Sequence, residues 1–142
     1  MTMERVDAWI DDHADDLVEL TRALVRFDTT SVDLSPGSDH TENEEAGCQG
    51  LIAERLSALG AEVDSWEPEP AELVGHPMMP PWHHWRGRPL TVGTLRGAGA
   101  GRSLIVNGHI DVVGAGDPAS WTSPPFAADV RDGASTDAAP ST

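Results

Sequence analysis

Residues 104–117 read LIVNGHIDVVGAGD, and this stretch constrains the chain more than any other. The apolar triplet Leu104, Ile105 and Val106, bounded by polar residues and glycines, predicts a buried strand over 103–107. Such a strand delivers His109 and Asp111 to its carboxyl end, which is where open α/β sheets bind ligands. The two lie one residue apart, so on an extended chain both project to the same face. A carboxylate placed there can accept one imidazole N–H and leave the other ring nitrogen free for a metal. The pair therefore reads as a metal ligand with its orienting partner. For an isolated His-x-Asp the plainer reading, a hydrogen-bonded turn histidine beside a turn-forming Asp, would be preferred. The residues that follow tip the balance.

The remainder of the chain alternates helix and strand signals. Val6, Ile10, His13, Leu17, Leu20, Leu24 and Phe27 recur at spacings of three and four, predicting one amphipathic helix over 4–28. His13 falls on its apolar stripe and reads as a core or boundary histidine. A polar loop over 28–40 leads to a second helix, opened by the capping-box pair Thr41 and Glu44 and closed by Gly60 in a left-handed C-terminal position. Cys48, Leu51, Ile52, Leu56 and Leu59 give its buried face, while Glu42, Glu44 and Glu45 are first-turn acids that complement the helix dipole. Residues 61–66 and 90–95 read as strands. Between them, 67–88 is an irregular segment rich in Pro, Trp and His, with Trp82 and Trp85 expected to pack down and His76, His83 and His84 lacking ligand spacing. Gly97, Gly99 and Gly101 make a turn between strands, not a phosphate cradle, because no Lys-Ser/Thr pair and no helix follow. The order helix, helix, strand, strand, strand predicts the start of a layered α/β domain.

Charge and cysteine usage exclude several functions. With 24 acidic and 9 basic residues the net charge is -15, which argues against nucleic acid and anionic membrane as partners. The single cysteine, Cys48, excludes an internal disulfide and suits a reducing compartment. No apolar run approaches a membrane span, and no basic-then-apolar leader opens the sequence. A cytoplasmic protein is expected. All the basic residues are arginine, which together with abundant Ala, Gly, Asp and Pro points to a GC-rich coding sequence.

Downstream of His109 the order of residues becomes specific. Gly108-His109-Ile110-Asp111-Val112-Val113 is followed by Gly116-Asp117, then Trp121, then Pro125-Phe126. This order resembles the M20 family of metallohydrolases: acetylornithine deacetylase, succinyl-diaminopimelate desuccinylase, aminoacylases and related carboxypeptidases. Its hallmark runs G-H-x-D-V-V-P, then G-D, Trp and P-F; Gly114 stands where Pro is usual. The likeness spans about residues 4–133 and implies an α/β fold, the N-terminal part of a layered α/β/α zinc-hydrolase catalytic domain, with a possible homodimer for the complete protein. It implies two zinc ions, replaceable by cobalt, that activate a water against the amide of an N-acyl amino acid or small peptide. On this match His109 is a metal ligand and Asp111 the catalytic-site carboxylate that clamps it. The bridging aspartate, the general-base glutamate and the remaining ligands of the family lie beyond the matched region, so this chain is expected to be inactive alone. The segment 66–77 leans toward the deacetylase and desuccinylase relatives. A different class of function stays open for the chain as it stands: a non-catalytic acidic α/β module that binds a protein partner through its Trp-rich loop.

Residues 134–142, ASTDAAPST, leave the family pattern and read as a disordered tail. A slip of reading frame offers another origin. With GC-rich third bases, reading from the last base of the Gly133 codon turns the tail into R-V-H-G-R-G-A-V-D, which is the pattern the family would carry there. The sequence thus predicts an M20-like region over 1–133 followed by a possible frameshift product. A sheet that stops after its first strands would also leave an unpaired edge and an uncovered apolar face, both liabilities for solubility.

Overall fold

A computed structural model of the chain describes residues 2–30, 44–78, 85–131 and 134–135. Two units emerge, Met1–Phe27 with Ala115–Thr142, and Asp28–Gly114.

The first unit begins with two helices, α1 (Met3–Asp12) and α2 (Ala14–Val25). The apolar periodicity predicts one helix here. The structure breaks it at His13, whose backbone leaves helical geometry at φ -118 and ψ 18. His13 is half-buried, its ring stacks on Trp9 at 4.0 Å between centroids, and its Nδ1 lies 2.8 Å from the Trp9 carbonyl. That side chain competes for a carbonyl of the preceding turn, a local alternative to continuing the helix. Farther along the same unit, Pro118–Ser120 forms one 3-10 turn. Arg22 Nε donates to the carbonyl of Ala128 at 3.0 Å; that alanine is fully buried and sits at positive φ, 52°. Strands β3 (Val130–Arg131) and β4 (Ala134–Ser135) pair antiparallel, so the first two residues of the off-pattern tail join a short ladder. The rest of the tail lies outside the described residues.

The second unit is built on α3 (Glu45–Ala58), β1 (Glu62–Trp66) and β2 (Leu90–Thr94). Thr41, the expected cap of α3, lies outside the described residues; Glu44 is the N-cap and makes no side-chain cap bond to its own helix. The C-terminal expectation holds in detail. Gly60 adopts φ 83, its N–H donates to Ser57 O at 2.9 Å, and Ala61 N–H donates to Leu56 O at 3.0 Å. These two bonds satisfy orphan carbonyls in the manner of a Schellman ending, which glycine adopts without steric cost. Strands β1 and β2 pair antiparallel in the register Glu62↔Thr94 to Trp66↔Leu90, and the Ser65 and Thr91 hydroxyls meet across the ladder at 3.1 Å. Helix α3 rests on both strands. Leu56 approaches β2 where Gly93 carries no side chain: a Cβ there would stand 2.9 Å from Leu56 Cδ1. Among its described residues the 67–89 connection contains a single helical turn, α4 (Pro70–Leu73), and is closed at its base by Gly87 N–H donating to Glu67 Oε1 at 3.0 Å. Trp85 is half-buried; Trp82, His83 and His84 lie outside the described residues.

The buried strand expected over 103–107 does not form. Residues 101–111 carry no regular secondary structure, and Leu104, Ile105 and Val106 are 85%, 89% and 86% exposed. A run apolar on both faces is stable as a strand only inside a sheet covered on both sides, and the described residues provide neither layer. Mixed helix and strand is therefore what the structure contains, with its strands antiparallel and in pairs.

Candidate functional site

The site is assembled from two segments of the second unit, 28–30 and 109–112. Asp28 forms an Asx turn, its Oδ1 accepting from Thr30 N–H at 3.0 Å. That turn presents Thr29, which is 4% exposed, to the second segment. Thr29 Oγ1 donates to the carbonyl of Ile110 at 2.6 Å, and Thr29 O accepts from Val112 N–H at 3.2 Å. Thr30 and Val112 form an isolated parallel bridge. The backbone on both sides of Asp111 is thus fixed although no strand leads into it.

His109 and Asp111 are brought together as their spacing predicts. His109 Nδ1 lies 2.9 Å from the Asp111 carbonyl oxygen and 3.1 Å from Asp111 Oδ1. Both oxygens are acceptors when the carboxylate is ionised, so the ring nitrogen between them is the one that carries the proton. In the neutral imidazole Nε2 then keeps its lone pair, on a side chain 84% exposed, with Asp111 49% exposed. This is the state in which a histidine can ligate a divalent cation, with its orientation set by the carboxylate. The fit to zinc extends to one ligand. Among the described residues no group of three or more His, Cys, Asp or Glu side chains is arranged to hold a metal ion.

The downstream motif residues belong to the other unit and have local roles there. Asp117 Oδ1 accepts from Ala119 N–H at 2.9 Å and caps the 3-10 turn, and Trp121 Nε1 donates to Ala115 O at 2.8 Å. These bonds explain why Asp and Trp stand at those positions in a tight turn, independent of any catalysis.

Two features escaped the sequence reading. The Thr29 clamp is one: an Asp-Thr-Thr after a helix has no motif, and nothing local announces which backbone it will grip. The other is an ion pair. Glu45, expected as a first-turn acid complementing the helix dipole, is buried, its Oε1 3.2 Å from Arg88 Nη1, with side chains 10% and 6% exposed. Arg88 Nε and Nη2 are buried without hydrogen-bond partners. Glu44 Oε2 accepts from Asp28 N–H at 2.7 Å and ties the start of α3 to the clamp segment. Burial and the neighbouring Glu45 charge raise the Cys48 thiol above its ordinary range, which keeps it protonated and unreactive, as a small buried hydrophobe should be. No helix among the described residues is long and apolar enough to cross a membrane.

No protein-family model matches the chain.

Proposed function

We propose that this chain carries the amino-terminal part of a zinc-dependent amidohydrolase of the M20 type, acting on N-acyl amino acids or small peptides. The observation that carries the reading is the orientation of the His109 ring: Nδ1 is engaged by Asp111, and Nε2 is left for a cation. The ordered residues Gly116, Asp117, Trp121, Pro125 and Phe126 support it from the sequence side. In this reading His109 is one metal ligand, Asp111 orients it, and the chain is part of a layered α/β/α domain. When bound, zinc or cobalt would polarise the amide carbonyl and acidify a water. A zinc site takes roughly three or four protein ligands, and His109 is one, so the remainder come from chain beyond this motif. The alternative frame past Gly133 is where they would begin. A cytoplasmic, homodimeric complete protein belongs to the same proposal.

The test has two stages. Sequencing the locus past the Gly133 codon should show an open frame carrying G-R-G-x-x-D; an early stop in that frame ends the frameshift reading. The complete product, loaded with zinc or cobalt, should then hydrolyse members of an N-acyl amino acid panel, and Asp111→Asn should lower activity by about 10–100-fold. A metal-loaded complete product inert toward every amide offered would sink the hydrolase reading.

A further inference from the structure

Thr29 is the residue whose contacts the proposed site does not yet explain. It is nearly inaccessible, yet it lies outside every motif and uses both its polar ends on one short stretch of backbone. Its hydroxyl holds the Ile110 carbonyl, and its own carbonyl takes the Val112 N–H. Ile110 and Val112 are the neighbours of Asp111, so both peptide groups flanking that residue are tied to Thr29. The His109 ring in turn contacts Asp111 through the residue's own carbonyl as well as its carboxylate. The carbonyl can meet Nδ1 only while the 110–112 backbone keeps this conformation. With no strand over 103–107 and with glycine at 108, the covalent chain itself does little to hold it. The Thr29 hydroxyl bond, at 2.6 Å, is the side-chain contribution.

We propose that Thr29 is a positioning residue for the His109–Asp111 pair: by fixing the backbone around Asp111 it selects the imidazole tautomer protonated at Nδ1, and so frees Nε2 for a cation. The inference rests on the metal-ligand reading of His109 for its functional meaning, but the geometry it asserts can be read without any metal. Thr29→Val keeps the β-branched shape and removes only the donor. Thr29→Ser keeps the donor and removes only the methyl.

The experiment is ring-nitrogen NMR of the dilute 142-residue chain labelled at histidine, at one alkaline pH where the imidazole is neutral. In the unsubstituted chain the His109 proton should reside on Nδ1, opposite to the preference of free histidine. Thr29→Val should return the signature toward free histidine, and Thr29→Ser should restore the original one. An unchanged signature in Thr29→Val, with the β1–β2 amide signals intact, overturns the proposal. Should Thr29→Val lose those signals, Thr29→Ser carries the test, and a free-histidine signature there overturns it. Asp111→Asn separates this inference from the reading beneath it. If Asp111→Asn changes the signature and Thr29→Val does not, the pair stands and the positioning role falls. If the unsubstituted chain itself shows the free-histidine signature, the pair fails, and the positioning role with it.

Discussion

Residues 90–94 and 103–107 are two apolar-leaning runs of equal length in the same unit, and they end differently. LTVGT becomes β2, paired along its length with β1 and in contact with α3, although Leu90 and Val92 stay partly in solvent. SLIVN, the more hydrophobic of the two, stays irregular with its three aliphatic side chains in solvent. Strand formation here follows the availability of partners, not apolar content. β2 has a neighbour whose register is fixed by hydroxyl pairing and by a connection closed at its base, together with a helix whose Leu56 reaches the strand at Gly93. The 103–107 run has no ladder to join among the described residues. Its apolar area, worth about 25 cal/mol per Å² when buried, is unspent.

The comparison can be broken at its strong side first. Glu45 and Arg88 join the start of α3 to the residues leading into β2, in surroundings where neither charge is solvated. Glu45→Ala leaves the guanidinium buried and unpaired, and should lower the urea-unfolding free energy of this unit by about 3–5 kcal/mol. The double substitution Glu45→Leu with Arg88→Met should recover most of that loss, because a well-packed apolar pair of similar volume often equals a buried ion pair. Recovery in the double variant no better than in Glu45→Ala would show that the pair is not what binds helix to strand.

A smaller effect is expected at Cys48, on the buried face of the same helix. Its thiol pKa is raised in the fold by burial and by Glu45. The folded state therefore holds the proton more tightly than the unfolded one. The stabilisation is fully present below the unfolded thiol's value and is lost as pH rises toward the folded one. Stability should decline through the alkaline range, and Cys48→Ala should flatten that decline. An identical alkaline slope in both proteins would show that the thiol is not the group responsible.

The weakest effect belongs to the exposed run. Ile105→Lys should change unfolding free energy by less than about 0.5 kcal/mol, the usual outcome at an exposed position. It should nevertheless reduce concentration-dependent association in sedimentation, since an uncharged apolar β-prone segment in solvent is an association hazard. A large loss of stability would mean that 103–107 is packed in solution after all, and the contrast with 90–94 would collapse.

Much of the local structure was legible in the residues. The second helix with its glycine stop, the strands flanking the Pro- and Trp-rich segment, and the contact between His109 and Asp111 all follow from short-range rules: periodicity, the conformational freedom of Gly60, and the two-residue repeat of extended chain. The break at His13 was not legible, because the stripe continues across it and only the Trp9 contact reveals the interruption. The burial of Glu45 was hidden for a similar reason. A first-turn acid reads as complementing the helix dipole unless one knows that an arginine 43 positions later returns to it.

The sequence by itself determined where α3 ends, that His109 would face Asp111, and that the chain would carry a large negative charge. Each depends on atoms a few bonds apart or on composition alone. Tertiary structure decided that Thr29 would hold the backbone around Asp111, that Glu45 and Arg88 would share a buried site, and that the most apolar run in the chain would remain outside the sheet. Those outcomes depend on which distant segments arrive to offer hydrogen bonds and cover, and a linear pattern does not encode the arrival.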